Sequence, residues 1–304
     1  MKWQVKFLKN ALFGIFPATV QERLRAVKRS FLPADVQINI CTLRQGMQQV
    51  DLLKLSGCDP MGKDYLELGT GWSPVIPLVF SLAGCKSLTL VDSQRLMDGY
   101  AFAETCRKLL EHKDEIAEKL HIAVVDIEER LNALSAMPLE SALLELNCQY
   151  MAPYDLLSDG IPEHSLDIIS SIAVLEHVPP QIVDKLFYKF NSLLRSTGVM
   201  CHIIDNSDHW EFNDKSISRL NFLTFSARAF DFISSMNPLD YQNRLRHSQY
   251  KKMIEAAGFR VVYEESPADD KALAELNTLK IHDDFNAFSK QDLAVLTSYI
   301  VATP

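Results

Sequence analysis

The sequence has little of what would mark a special class of protein. Glycine (11) and proline (13) are sparse among 304 residues, which excludes collagen-like and low-complexity chains. The six cysteines, Cys41, Cys58, Cys85, Cys106, Cys148 and Cys201, are scattered and form no Cys-x-x-Cys pair. Neither a structural zinc site nor a disulfide framework is therefore expected. Cysteines in apolar segments read as reduced core thiols, so the expected location is cytoplasmic. No apolar run approaches the roughly 18 residues of a membrane-spanning helix. The short run from Ala11 to Phe16 also falls below the ~7–15 residues of a secretory core. There is no basic excess: net charge is −8. Residues 1–30 hold seven Lys/Arg against Glu22, a local +6, so the rest carries −14 (−8 less +6). An acidic body lacks the broad basic face that nucleic acid requires, and no nucleic-acid partner is expected. The basic arm reads as an amphipathic helix packed on the body, with peripheral membrane contact as the alternative.

Hydrophobic residues make up 47% and charged residues 23%, enough to bury a core without staples. Residues 1–60 read as helical, with Pro33 and Pro60 as punctuation, and form an expected N-terminal cap. The remainder, 61–304, alternates short apolar runs with amphipathic helices. Strands are expected over 65–69, 87–92, 148–151 (weakly), 166–172, 199–205, 260–264 and 297–302. Helices are expected over 74–83, with Ser73 as N-cap, and over 94–118, 179–195 and 247–257. This alternation implies an α/β fold: a doubly wound, mostly parallel sheet with helices on both faces. Such sheets bind ligands beyond the carboxyl ends of their strands.

The segment YLELGTGWSP (65–74) carries the strongest signal. An apolar strand ends in Gly69-Thr70-Gly71, where glycines let the backbone turn tightly and approach a ligand. Asp92 ends the next apolar strand, where a carboxylate can accept both hydroxyls of a ribose. A dinucleotide fingerprint wants a small residue three after the second glycine, but Pro74 stands there. Glu67 would face a pyrophosphate at close range, whereas it suits a ligand bearing an ammonium. S-adenosylmethionine has an ammonium, a sulfonium and a ribose, and no phosphate.

On these residues the sequence resembles the seven-stranded, Rossmann-like class I S-adenosylmethionine-dependent methyltransferases, over roughly 60–265. The resemblance implies that Glu67, Gly69, Thr70 and Gly71 hold the methionine part, and that Asp92, with Ser93 beside it, holds the ribose. It also implies that Asp155 and Leu156 meet the adenine, and that Ile172 and Ala173 lie against the cofactor. RHSQYKKMIEAAGFRVV (246–262) is similar to a late helix–Gly–strand element of the class.

Methyl transfer needs a positioned acceptor lone pair, exclusion of water and, where required, removal of a proton. His177, after the fourth strand, is a candidate general base. Asp205 and His209, after the fifth, crowd the place where an acceptor would sit. Some members of the class pair such a Glu176-His177 dipeptide with an acid three residues earlier to hold magnesium. Ala173 occupies that position, so no metal is expected. The aromatic-rich stretch 206–245 reads as an insertion forming a substrate wall, in which Arg244 and Arg246 could meet an anionic substrate. The expected activity is methyl transfer to O or N of a small metabolite. A non-catalytic cofactor-binding protein, or a protein or nucleic-acid methyltransferase, are the alternatives. The Asn/Asp-Pro-Pro-Tyr/Phe motif of base-modifying members is missing.

Overall fold

A computed structural model describes residues 2, 4, 5, 40–236 and 241–304. Apart from residues 2, 4 and 5, the basic arm of residues 1–30 and its expected membrane contact lie outside the described residues, as does most of the expected cap.

The alternating pattern folds into one sheet of seven strands. In chain order these are β1 (Asp64–Leu68), β2 (Ser87–Val91), β3 (Cys148–Met151), β4 (Leu166–Ile172), β5 (Leu194–Asp205), β6 (Arg260–Glu265) and β7 (Thr297–Thr303). Their spatial order is β3-β2-β1-β4-β5-β7-β6. The first five strands pair in parallel, and β7 runs antiparallel to both β5 and β6. Strand order reverses between β1 and β4, so the switch point opens beyond their carboxyl ends. Gly69, Asp92, Ala173 and Asn206 follow β1, β2, β4 and β5 and therefore share one edge of the sheet.

Helices cover both faces. On one side lie α1 (Ile40–Leu55), α2 (Val75–Leu82), α3 (Gly99–Leu110), α4 (Lys113–Leu120), α5 (Val124–Ser135) and α6 (Leu139–Glu145). On the other lie α7 (Pro180–Leu193) and α9 (His247–Ala256), which follows α8 (Ala227–Ser235) in the chain. Helix α1 is a layer of the core: Leu43, Met47, Val50 and Leu53 are buried against residues of α2 and the sheet. Its buried Gln49 donates to the carbonyls of Ser171 (3.1 Å) and Cys201 (3.0 Å), across the β4–β5 pair.

Two local expectations differ from the structure, and one connection holds elements the sequence reading did not foresee. Ser73 does not cap α2. The helix starts at Val75, Pro74 holds the cap position without a side-chain bond, and the Val75 N–H instead bonds the Ser73 carbonyl at 2.8 Å. The helix expected over 94–118 is two helices, α3 and α4, with a turn at Glu111-His112. The buried series Phe102, Cys106, Leu109, Ile116 and Leu120 keeps one helical period through that turn, so the pattern conceals it. The β6–β7 connection contains α10 (Asp270–Glu275) and α11 (Lys290–Leu293). Their residues Ala272, Leu276 and Leu293, with Phe285, pack against Leu220, Phe222, Leu223 and Phe230 of the insertion as a separate cluster. The insertion is thus half of a small subdomain, and the other half comes from the last loop.

Candidate active site

The turn after β1 explains its own glycines. Gly69 has φ +81°, and a Cβ there would lie 2.4 Å from Val174 Cγ2. The loops after β1 and β4 meet at that point, and only glycine permits both the backbone angle and the approach. Gly71 has φ +68° with open space around its missing Cβ. Its N–H donates to Asp92 Oδ2 (2.9 Å), while Asp92 Oδ1 accepts from the Gln94 N–H (3.1 Å). The carboxylate at the end of β2 is thereby aimed at the glycine turn.

A cleft of about 590 Å³ opens here, lined by Leu68, Gly69, Asp92, Ser93, Asp155, Leu156 and Val174, with His177 and Pro179 at one side. Its volume falls within the ~300–1,000 Å³ of small-ligand sites. Five expected residues, Gly69, Asp92, Ser93, Asp155 and Leu156, thus converge on one cleft. Pro153 and Tyr154 also line it. They were not singled out from the sequence, where nothing but their adjacency to Asp155 marked them.

Other expected residues sit differently. Glu67 is buried behind that lining and accepts a hydrogen bond from Thr70 Oγ1 at 2.6 Å. Burial pushes its carboxyl up to about 8, against the Thr70 bond and with the Asp92 charge adding to the rise. It therefore does not stand open to the cleft as expected, because the strand turns its side chain inward. Ile172 packs against the core of the α2 face, and Ala173 is exposed with φ +53°, a left-handed angle unusual for alanine. Neither lines the cleft. Val174, one residue further, makes the contact.

Beside the cleft lies a larger cavity of about 870 Å³, and His177 and Pro179 line both. Its walls come from α8 (Phe230, Asp231), the returning segment 241–245, and the last loop (Asp284, Phe285, Phe288). The contribution of that last loop carried no signal in the sequence.

His177 lies where the cavities meet, with His209 and Asp205 beside it though lining neither. His209 Nε2 lies 3.2 Å from Asp205 Oδ2, and the His177 and His209 rings are 5.0 Å apart. Nδ1 of His177 is 2.8 Å from the Tyr241 carbonyl. Since a carbonyl and a carboxylate only accept, these contacts place the proton on Nδ1 of His177 and on Nε2 of His209. Burial raises the Asp205 carboxyl, but hydrogen bonds from His209 and Ser207 and the nearby His209 charge bring it below the ordinary value overall.

A strap of consecutive residues holds this arrangement. Gln242 donates to the Ser207 carbonyl and accepts from the His209 N–H (3.1 Å). Buried Asn243 donates to the carbonyls of Leu175 (2.8 Å) and Val178 (2.9 Å), bracketing the turn that carries His177. Its Oδ1 accepts from the Leu245 N–H and Tyr250 Oη, both at 3.0 Å. Arg246 is 1% exposed and donates to the Asn206 carbonyl (2.9 Å), so it supports the loop and does not reach substrate.

Metal-ligating atoms of Glu176, His177 and His209 lie within 4.8 Å of one another and could hold an ion. The sequence expectation of no metal rested on Ala173; the loop after β5 supplies His209 as a third donor. Glu176 is buried, and burial pushes its carboxyl well above the usual range. Neither of its oxygens has a hydrogen-bond partner of good geometry. The nearest N–H groups, its own and that of Asp205, only partly offset burial.

A mostly parallel sheet with a glycine turn after β1, a carboxylate closing β2 and a cleft at the switch point is the arrangement of a nucleoside-cofactor-binding α/β fold. The sequence matches the family described as "Methyltransferase domain" over residues 44–264. The chain belongs to that family and is an S-adenosylmethionine-dependent methyltransferase. It is similar in structure to magnesium protoporphyrin IX methyltransferase from Synechocystis PCC 6803 with bound SAH (13% identity, 94% of each chain, TM-score 0.49). It is also similar to an S-adenosylmethionine dependent methyltransferase from Mesorhizobium loti (12% identity, 84% of this chain and 96% of that one, TM-score 0.46). A third similar structure is Haemonchus contortus phosphoethanolamine N-methyltransferase 2 in complex with S-adenosyl-L-methionine (15% identity, 84% and 52%, TM-score 0.44). No curated protein sequence matches the chain. Among the described residues, no helix is long and apolar enough to cross a membrane.

The cleft fits the cofactor. Asp92 is an acceptor pair suited to a diol, Gly71 leaves open space beside it, and buried Leu156 offers an apolar wall.

Proposed function

We propose that this enzyme methylates O or N of a small molecule seated in the 870 Å³ cavity. The observation that carries this reading is the meeting of two cavities at His177 and Pro179. A cofactor in one and an acceptor in the other would face each other across that point.

S-adenosylmethionine supplies a methyl group already activated on a sulfonium. The protein's part is to bind, orient and dehydrate. In this reading Asp92 and Ser93 take the ribose, Asp155 and Leu156 the adenine, and Gly69, Thr70 and Gly71 the methionine part. Glu67 acts from beneath that loop as a counter-charge for the ammonium. Ile172 and Ala173 set the path of the loop that presents Val174. Asp205 orients His209, leaving the Nδ1 lone pair of His209 to receive the acceptor's proton, and His177 places the acceptor with its Nε2. Positioning of this kind supplies much of the rate in a displacement that needs little covalent help from the protein.

The size of the cavity supports a metabolite-sized acceptor, and the acidic body opposes nucleic acid. Six cysteines without a disulfide favour a reducing, cytoplasmic setting. The test is transfer of labelled methyl from the cofactor to a metabolite extract. Label confined to protein or nucleic-acid fractions would refute the small-molecule reading.

A further inference from the structure

We propose that Arg244 is an anion receptor in the acceptor cavity, so that the methyl acceptor carries a carboxylate or phosphate group. This rests on the reading of the 870 Å³ cavity as the acceptor site.

Arg244 lines that cavity and is half-buried. Its position is fixed on several sides. Nη1 donates to the carbonyls of Phe222 (3.1 Å) and Phe225 (2.6 Å). The guanidinium carbon lies 4.4 Å from the Phe230 ring centre and 4.9 Å from that of Phe285. The carbonyls and rings immobilise the cation without neutralising it. Among the described residues no carboxylate comes within ion-pair distance of it. Asp231 and Asp284 also line the cavity and act on Arg244 only through space; both are exposed, and Asp284 Oδ2 is already bonded to the Ala227 N–H.

Two groups of the fork therefore have work left to do. Nε and Nη2 have no hydrogen-bond acceptor among the described residues, and together they form the edge that matches two oxygens of a carboxylate or phosphate. A half-buried guanidinium has lost part of its hydration, and an anion with two oxygens on that edge would restore it. Arg246 next door shows the contrast, since it is fully enclosed and serves the backbone of the loop. The rings of Phe230 and Phe285 beside Arg244 would then contact the apolar part of the same acceptor, whose other end reaches His177.

The experiment separates a metabolite extract by anion exchange and offers each fraction to the wild-type enzyme with labelled S-adenosylmethionine. A parallel arm treats the extract with phosphatase first. Label should appear in acceptors retained by the exchanger. Loss of retained label after phosphatase assigns phosphate, and persistence assigns carboxylate. With the labelled acceptor in hand, Arg244→Gln should raise its KM about 10–100-fold, the cost of a charge-assisted hydrogen bond. Cofactor affinity should stay within about twofold, because Arg244 is no part of that cleft. Arg244→Lys, which keeps the charge and loses the fork, should fall between. If the Gln variant fails to fold, the wild-type fractionation still decides. Label only in neutral or cationic acceptors, or an unchanged KM in a folded Gln variant, overturns the assignment of Arg244 and leaves the methyltransferase reading intact. No label in any fraction despite cofactor binding would overturn the small-molecule reading, and this inference with it.

Discussion

Replacing Glu67 by Gln tests the cofactor loop most directly, because one substitution should move stability and binding in opposite directions. Glu67 is 3% exposed and its carboxyl is pushed from an ordinary value near 4.5 to about 8. The folded state therefore keeps a proton that the unfolded chain releases above pH 4.5. Its contribution to stability is fully present below pH 4.5 and is lost progressively as pH rises toward 8. At about 1.4 kcal/mol per pH unit, the loss is roughly 3 kcal/mol by pH 7 and approaches 5 kcal/mol at pH 8. Gln is neutral throughout and can still accept the Thr70 hydroxyl bond. Glu67→Gln should match the wild type at pH 5 and be more stable at pH 8 by several kcal/mol. At roughly 2 °C per kcal/mol for a large domain, that is a rise in Tm of about 5–10 °C, read by thermal unfolding from pH 5 to 9. The cationic cofactor should act in the other sense. An ammonium beside Glu67 favours the ionised form, so binding at pH 7 should release up to about one proton from the wild type. Calorimetry in buffers of different ionisation enthalpy would detect it, and the Gln variant should release none and bind more weakly. Parallel pH–Tm profiles for the two proteins would refute the burial argument. Equal affinity and equal proton release would refute the placement of the ammonium.

Asp92→Ala should weaken cofactor binding by about 10–100-fold per lost charge-assisted hydrogen bond, measured by calorimetry; unchanged affinity would remove the ribose from Asp92. Asp205→Asn and His209→Ala should each lower kcat by about 10²–10⁴-fold with cofactor affinity retained; a change confined to KM would deny them the proton. Gly69→Ala should destabilise the fold by more than ~1 kcal/mol, since it adds a Cβ 2.4 Å from Val174 at a positive φ, and a wild-type Tm would show that the loop yields. Asn243→Ala should cost about 2–4 kcal/mol by leaving the Leu175 and Val178 carbonyls and Tyr250 Oη unpaired. Chemical denaturation reads it, and a cost under ~1 kcal/mol would show that water replaces the strap.

The positions of the strands along the chain, the glycine turn and the carboxylate of Asp92 were legible from residues alone, because each is a local matter. Period-2 and period-3.6 patterns, a Gly-x-Gly after an apolar run and an acid at a strand end need no distant partner to be recognised. His177, His209 and Asp205 were legible as residues at strand ends, since parallel strands bring those ends to one edge. What stayed hidden depends on contacts far apart in the chain. The direction of Glu67 into the core follows from how β1 is covered on both faces. The pairing of the 206–245 insertion with the β6–β7 loop follows from burial of Phe222, Phe230 and Phe285 in one cluster. Arg244 and Arg246 are two residues apart and look alike in sequence. Only the packed structure encloses one beneath the Asn206 loop and leaves the other lining the cavity, because burial is decided by which segments arrive from elsewhere in the chain.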